Sequence, residues 1–233
     1  MKHIIIFKLA LILGFGIVNA QDNQLTDKEK KEGWMLLFDG KTTNGWRNYR
    51  SNTIKPQWQV ANGALTLTAK EGGDIVTNEE FENFELSLEW KISDCGNSGL
   101  FYYVKEDTAS WAWAVYATGP EMQILDDKCH PDNKLESHRA GALYDMISCS
   151  GVTVKPAGEW NKITLKINNG KAEHWQNGKM VVSYTLWDEN WKKMVAASKF
   201  GSWKGFAAYK KGRFALQDHG DVVSFKNIKV RKL

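Results

Sequence analysis

Three Asn-Gly dipeptides between apolar segments constrain most strongly how this chain of 233 residues can fold. They stand at Asn62-Gly63, Asn169-Gly170 and Asn177-Gly178. Both central residues of a tight β-hairpin turn take positive φ, which Gly and Asn adopt at the least cost. Each dipeptide therefore predicts two antiparallel strands joined by a two-residue turn.

The rest of the chain extends this pattern. Residues 84–89 alternate between apolar and polar side chains, as in a strand with one buried face, and further short strands recur at regular spacing. In residues 187–200, Trp187 and Trp191 recur at helical spacing around Asp188, a suitable N-cap, which predicts a single short helix. The predicted fold class is all-β, a jelly-roll β-sandwich of two antiparallel sheets in which one curved sheet offers a groove.

The first 32 residues are expected to lie outside the folded domain. Residues 1–20 combine two lysines, an apolar stretch and a small-residue cleavage site ending at Ala20, which predicts a signal peptide rather than a membrane span. No lipid-anchor cysteine follows it. Residues 21–32 are polar and predict a flexible segment. We expect one domain over 33–233 in a periplasmic or secreted protein without membrane insertion.

Composition narrows the choice of partner. The 31 Lys and Arg residues nearly balance the 27 Asp and Glu residues without forming a basic run, which argues against a nucleic-acid partner. The glycine-containing segment 96–101 lacks a following helix, so no nucleotide or other organic cofactor is expected. No protein partner is evident. Eleven tryptophans suit a carbohydrate ligand, because an indole ring packs flat against the C–H faces of sugars.

The three cysteines, Cys95, Cys129 and Cys149, are an odd number for an exported protein. At least one of them must stay free or pair between chains. A Cys129–Cys149 bridge is one possibility, since both residues flank the same polar segment, and spacing alone does not decide the pairing.

That polar segment begins as a strand in which Glu121 and Gln123 share one face. The face is either a solvated sheet surface or the floor of a polar cleft. In a cleft, Glu121 could serve as a base or metal ligand and Gln123 could hold a hydroxyl group. Asp126 adds a further acceptor, and Asn97, His130, Arg139 and Tyr144 are further candidates for substrate binding.

The histidines offer proton transfer or metal binding near neutral pH. His130 and His138 lie in the irregular stretch after that strand, beside Arg139, and either could be merely structural. His219 lies between two strands among carboxylates that could orient its ring. His174 precedes a hairpin turn and is expected at the surface.

Several segments resemble, in order, the 3-keto-disaccharide hydrolase family. They include "LLFDGKTTNGW", "GNSGLFYYV", "EMQILDD", "HRAGALYDMI", "SKF" and "LQDHGDVVSFKNIKV" within about residues 33–233. One departure is Val222-Val223, where a proline or similar residue is expected before the second valine. The resemblance implies a concanavalin-like jelly roll, activity on 3-keto glycosides, and matching motif positions at Glu121, Gln123, Asp126, His130, His138, Tyr144 and His219.

Cleavage of a 3-keto glycoside could proceed by removal of the acidified C2 proton and elimination of the C1 substituent, with or without rehydration. It needs a base, an electrophile for the oxyanion and an acid. The predicted catalytic residues are Glu121, His138 and His219, with Glu121 and His138 as possible ligands of a divalent metal ion. A non-catalytic sugar-binding module and a conventional glycoside hydrolase remain alternatives, although Gln123 and Leu125 break the alternating acids of laminarinase-type sandwiches.

Overall fold

Two antiparallel sheets pack face to face in the computed structural model, which describes residues 21–107 and 111–233. The predicted signal peptide at 1–20 lies outside the described residues. In chain order the strands are β1 (Met35–Leu36), β2 (Trp46–Asn48), β3 (Trp58–Ala61), β4 (Ala64–Leu67), β5 (Ile75–Thr77), β6 (Phe84–Ile92), β7 (Asn97–Val104), β8 (Glu121–Leu125), β9 (Asn161–Asn168), β10 (Lys171–Gln176), β11 (Lys179–Thr185), β12 (Arg213–Leu216) and β13 (Val223–Lys232).

The larger sheet has the order β11-β10-β9-β6-β13-β4-β3, with β1 paired to β13 at one end. The smaller sheet has the order β2-β5-β12-β7-β8. Strands distant in sequence therefore lie side by side, as in a jelly roll, and the predicted concanavalin-like sandwich is confirmed. Among the described residues, no helix is long and apolar enough to cross a membrane.

The hairpin predictions are confirmed by the backbone. Asn62 and Gly63 join β3 to β4 with φ of 51° and 73°. The two later Asn-Gly pairs join β9 to β10 and β10 to β11, again with positive φ at both residues. The turn chemistry thus determines where each of these strands reverses.

Helix α2 (Glu189–Ala197) lies within the predicted helical segment and begins as expected. The Asp188 side chain accepts a hydrogen bond from the Trp191 N–H at 2.7 Å and caps the helix. Trp191 is the buried residue of this helix.

The structure differs from the expectation of a flexible segment at 21–32. It contains a helical turn, α1 (Asp27–Lys31), closed by a capping box between Thr26 and Glu29. Asn23 is buried, and its side chain donates to the Gly63 carbonyl at 2.8 Å and accepts from the Asn227 N–H at 2.9 Å. Specific hydrogen bonds hold this segment to β13 and to the β3–β4 turn, which apolar content alone does not reveal.

The core lies between the sheets and is formed by alternate residues of each strand, such as Leu86 and Leu88 of β6 and Leu100 of β7. A second, smaller apolar cluster lies on the opposite, outer face of the five-stranded sheet. It includes Phe101 and Ala215, and the segment between β7 and β8 covers it through Val115. The outer face of the five-stranded sheet is therefore partly covered by another segment of the chain and is not a fully solvated surface.

His174 belongs to the core, contrary to the expectation of a surface residue. It is fully buried on β10, where its ring nitrogens lie 3.2 Å from the Gly141 carbonyl and 3.3 Å from the Tyr184 hydroxyl. Burial lowers the pKa of His174 to about 4, so the ring is neutral. The alternation of β10 turns this side chain inward although a turn follows it.

Cys95 and Cys129 form a disulfide with a Cα–Cα distance of 4.7 Å, and Cys149 is free. The suggested Cys129–Cys149 pairing is therefore wrong. Cys95 lies just before β7 and Cys129 lies shortly after β8, so the bond joins the start of β7 to the end of β8. The antiparallel pairing of β7 with β8 brings Cys95 close to Cys129, and the spacing of the cysteines in the sequence does not show this.

Candidate functional site

A cleft of about 350 Å³ opens on the outer face of the five-stranded sheet. This volume lies at the lower end of the range typical of small-molecule sites. Its floor is one row of residues across four neighbouring strands. Gln217 follows β12 and donates its N–H to the Gly99 carbonyl at 3.0 Å, and Gly99 pairs with Gln123 of β8. Extending the β5–β12 register by one residue places Asp74 at the other end of this row.

Gly99 creates the depression in that row. A Cβ at this position would lie closer than 3.0 Å to Glu121 Oε1, so a side chain there would displace the carboxyl group. Gly99 does not have the positive φ of a turn glycine, and its function is to leave space. The Glu121 carboxyl consequently leans over β7 and into the cleft.

Glu121 is the chemically most distinctive residue of the cleft. Its side chain is 8% exposed, and no described residue forms a hydrogen bond with its carboxyl group. Burial raises the pKa of Glu121 to about 8, with the Lys199 ammonium opposing this shift and the carboxylates of Asp74 and Asp132 adding to it. Glu121 is therefore mostly protonated at neutral pH and available to a ligand. Glu121 and Gln123 share one face of β8, and this face lines the cleft.

Gln123 and Asn97 form the polar pair beside Glu121. Gln123 Nε2 donates to Asn97 Oδ1 at 3.2 Å, while Gln123 Oε1 is buried without a hydrogen-bond partner among the described residues. The Asn97 N–H donates to Asp221 Oδ2 at 3.0 Å, which fixes the start of β7. Both side chains line the cleft and are placed to bind hydroxyl groups.

Asp74 is a site residue that sequence reasoning missed. It precedes β5, lines the cleft, and accepts the Asp218 N–H on Oδ1 at 3.0 Å. Burial raises the pKa of Asp74 to about 6, and the neighbouring Asp218 carboxylate adds to this shift while the hydrogen bond opposes it. In the sequence Asp74 is one acid before a short apolar strand, and only the sheet order brings it opposite Glu121.

Tyr144 lines the cleft, but His138 does not. The Tyr144 hydroxyl donates to Asp132 Oδ2 at 3.2 Å, and its ring stacks on the His138 ring with centroids 4.2 Å apart. His138 is buried behind Tyr144, with Nδ1 at 2.9 Å from Asp132 and Nε2 at 3.1 Å from Asp145. Contrary to expectation, His138 therefore does not meet Glu121 in the cleft, because both of its nitrogens already have carboxylate partners. It supports Tyr144.

The segment after α2 supplies a cation and an aromatic wall. Lys199 is exposed, lines the cleft and places its Nζ 4.1 Å from the centroid of the Tyr144 ring. Phe200 and Trp203 line the same side, with ring centroids 5.1 Å apart, and Tyr116 continues the wall 6.0 Å from Trp203. Lys199 and Phe200 lie in the "SKF" segment noted in the sequence, where no role could be assigned.

His219 lines the rim of the cleft as an exposed residue. His130 does not line it, and its ring meets the His219 ring edge-on with centroids 6.2 Å apart. His130 Nδ1 accepts the Asp132 N–H at 3.2 Å and so caps the 3-10 turn at Pro131–Lys134. Only one member of this histidine pair reaches the ligand space.

Asp126 and Arg139, expected to bind substrate, lie outside the cleft. Asp126 is buried and accepts the N–H groups of Cys95 at 2.9 Å and Lys128 at 3.1 Å. Arg139 donates to the Asn133 carbonyl at 2.9 Å. Arg139 therefore holds the loop after β8, and Asp126 joins that loop to the segment before β7, because backbone groups of these segments bind their polar atoms.

The proposed metal pair of Glu121 and His138 does not fit this geometry. Within the described ranges, the group of three or more ligand side chains with donor atoms inside 4.8 Å of one another is Cys95, Asp126 and Cys129. Its two sulfurs are bonded to each other. Since Glu121 and His138 do not share a space, we assign them no common ion.

Comparisons with known proteins agree on one family. A model described as the 3-keto-alpha-glucoside-1,2-lyase-like domain matches residues 33–231. A 3-keto-disaccharide hydrolase from Bacteroides thetaiotaomicron is 36% identical over 87% of this chain and 79% of its own.

Solved structures extend the comparison. A protein from Parabacteroides distasonis, described as a candidate glycosyl hydrolase, has a TM-score of 0.85 and 34% identity over 91% of this chain and 100% of its own. A second such protein from the same organism has a TM-score of 0.69 and 31% identity over 86% of this chain and 99% of its own. A galectin-like protein from Bacillus subtilis, 12% identical with a TM-score of 0.51, shares the fold alone.

Proposed function

The chain belongs to the 3-keto-alpha-glucoside-1,2-lyase-like family, and from this premise we propose that it cleaves 3-keto glycosides by elimination, with or without later addition of water. The observation that carries the proposal is the buried, unpartnered Glu121 carboxyl on the floor of a cleft that also holds Lys199 and aromatic rings. We further propose that the protein acts outside the cytoplasm. The Cys95–Cys129 bond supports this, because such bonds persist in oxidising compartments.

A ketone at C3 of the sugar acidifies the proton on C2. A base takes that proton, and the C2–H electron pair forms an enolate with its charge on the C3 oxygen. The enolate then reforms the ketone, a C1=C2 double bond forms, and the C1–O pair leaves on the glycosidic oxygen, which gains a proton. Addition of water across C1=C2 completes a net hydrolysis. The reaction therefore needs a proton donor beside the glycosidic oxygen and positive charge near the C3 oxygen.

Glu121 is the proposed proton donor. Its pKa of about 8 keeps the carboxyl protonated at neutral pH, as in other enzymes where a buried carboxyl acts as general acid. Lys199 is the proposed electrophile, since its ammonium lies in the same cleft and no described carboxylate forms an ion pair with it. Asn97 and Gln123 would bind sugar hydroxyls, and the rings of Phe200 and Trp203 would cover a sugar face.

Conventional glycoside hydrolysis is the second candidate, and one observation favours it. Asp74 and Glu121 give the cleft two carboxyl groups, which is the minimum set for direct displacement at C1. A pure sugar-binding module is less well supported, because it has no use for a buried carboxyl with a strongly raised pKa.

The two chemistries differ at C2, and deuterium reports the difference. The mature protein is incubated in D2O with a 3-keto glucoside or with its unoxidised parent, and the released alcohol and the sugar product are followed. Elimination predicts cleavage of the keto substrate at least a hundredfold faster, with deuterium at C2 of any rehydrated product. Similar rates on both substrates, with no deuterium at C2 above an enzyme-free control, would instead establish conventional hydrolysis. With an alkyl leaving group, Glu121→Gln serves as the matched control that should not release the alcohol.

A further inference from the structure

We infer that Asp74 is the catalytic base that removes the C2 proton, facing Glu121 across the part of the cleft floor formed by Gln217. The inference rests on the proposed function and deepens it by assigning the base.

Position in the sheet is the first support. Asp74, Gln217, Gly99 and Gln123 form one row over four adjacent strands, with Glu121 diagonal to Gly99. The backbone of Asp74 lies two strand spacings, roughly 10 Å, from Gly99. Glu121 is on β8, one strand spacing from Gly99 in the opposite direction. Because residue 99 has no side chain, the Glu121 carboxyl lies over it, and a sugar ring above Gln217, the next residue in the row, would have Asp74 on one side and Glu121 on the other. Elimination needs two groups at neighbouring carbons, because one must accept the proton from C2 and the other must donate a proton to the glycosidic oxygen on C1.

Orientation is the second support. Asp74 Oδ1 accepts the Asp218 N–H at 3.0 Å, while Oδ2 has no hydrogen-bond partner among the described residues and belongs to a group that lines the cleft. Asp218 is itself fixed, because its oxygens accept the N–H groups of Gly73 at 2.7 Å and Gly220 at 2.8 Å. Asp218 is thus a positioning residue that holds Asp74 with one oxygen free for a proton.

Charge is the third support. Asp74, with a pKa of about 6, is mostly ionised at neutral pH, whereas Glu121, with a pKa of about 8, is mostly protonated. A pair of carboxyl groups whose pKa values are separated in this way is equipped to act as base and acid at the same pH. His219, the proton-transfer group expected from the sequence, is exposed at the rim, where water competes for its ring nitrogens.

These roles account for every proton in the reaction. Asp74 Oδ2 takes the C2 proton as the enolate forms, and the Glu121 carboxyl gives its proton to the departing glycosidic oxygen as the C1–O bond breaks. Asp74 then carries a proton and Glu121 a negative charge. Water that adds across C1=C2 gives its proton to Glu121 and its hydroxide to C1, and Asp74 returns a proton to C2.

A substrate analogue isolates the first half of this sequence. A 3-keto sugar with hydrogen in place of the C1 leaving group cannot be cleaved, so the enzyme can only exchange its C2 proton in D2O. Its C4 proton, also adjacent to the ketone, is an internal reference for uncatalysed exchange. Proton NMR follows both positions with the wild-type protein, Asp74→Asn, Glu121→Gln and His219→Gln. Equal urea midpoints establish that Asp74→Asn, which retains an acceptor for the Asp218 N–H, is folded.

The wild-type protein and His219→Gln should exchange C2 much faster than C4, and Asp74→Asn should lose at least a hundredfold of the C2 rate. Glu121→Gln should keep C2 exchange while losing cleavage of glycosides with alkyl leaving groups. If folded Asp74→Asn exchanges C2 like the wild type, or if His219→Gln is the variant that loses it, Asp74 is not the base. If the wild-type protein itself shows no C2 exchange, the proposed function fails as well, so the two failures are distinguishable.

Discussion

Gly99 and Glu121 occupy a space that holds only one side chain. The carboxyl group of Glu121 fills the position where a Cβ of residue 99 would lie, on the strand next to its own. A residue without a side chain therefore determines where the acid of the cleft points.

Gly99→Ala should consequently disable the enzyme without unfolding it. The added methyl group forces Glu121 out of the cleft, and we expect kcat/KM on a 3-keto glycoside to fall at least a hundredfold. Overpacking of this kind costs ~1–3 kcal/mol of unfolding free energy. The double variant Gly99→Ala/Glu121→Asp, with its shorter acid, should recover stability and little activity. Near-wild-type activity of Gly99→Ala would show that Glu121 is not used.

The pH dependence of kcat/KM should be bell-shaped. Activity should rise as Asp74 loses its proton near pH 6 and fall as Glu121 loses its proton near pH 8. Lys199, Asp74 and Asp132 act on Glu121, and Asp218 acts on Asp74, so ionisation of Asp74 also favours the protonated form of Glu121. With a nitrophenyl leaving group, which departs without protonation, Glu121→Gln should remain active and lose the alkaline limb. An alkaline limb that persists in this variant would contradict the assignment.

Folding stability should decrease with rising pH because of the Glu121 carboxyl group. The folded protein retains a proton on Glu121 up to about pH 8, whereas the unfolded chain loses it near the ordinary value of 4.5. The folded state thus binds more protons across this window, and the free energy of unfolding falls as pH rises through it. The loss is at most about 5 kcal/mol. Urea unfolding of the wild type and Glu121→Gln at several pH values measures it, and equal slopes for both would refute the raised pKa.

Breaking the disulfide should destabilise the protein far more than removing the free thiol. The Cys95–Cys129 bond closes a separation of 34 residues, and loss of such a constraint costs about 4 kcal/mol in the chain-entropy account. Cys95→Ser/Cys129→Ser should therefore lower the melting temperature markedly. Cys149→Ser, the matched control, changes a free cysteine and should leave it nearly unchanged. Equal effects of the two variants would contradict the role given to the bond.

The sequence predicted local features well and missed those that depend on topology. Turn chemistry at Asn62-Gly63 and the alternation that puts Glu121 beside Gln123 are both encoded within a few residues, and both appear in the structure. Asp74 and Lys199 reach the cleft from distant strands and loops, so no local pattern marks them. From its residue type, His138 was predicted to be catalytic. In the structure its role depends on Asp132 and Asp145, which only the folded loop brings close to its ring.

The pairing of β7 with β8 has a further consequence for how errors in folding affect this protein. Glu121 and Gln123 face the cleft, while Met122 between them faces the core. A shift of β8 by one residue would bury both polar groups and present the methionine to the sugar, because side chains alternate along a strand. The Cys95–Cys129 bond ties the segment after β8 to the start of β7 and so opposes that slippage. Under oxidising conditions, formation of this bond would thus also favour chains in which β7 and β8 are correctly aligned.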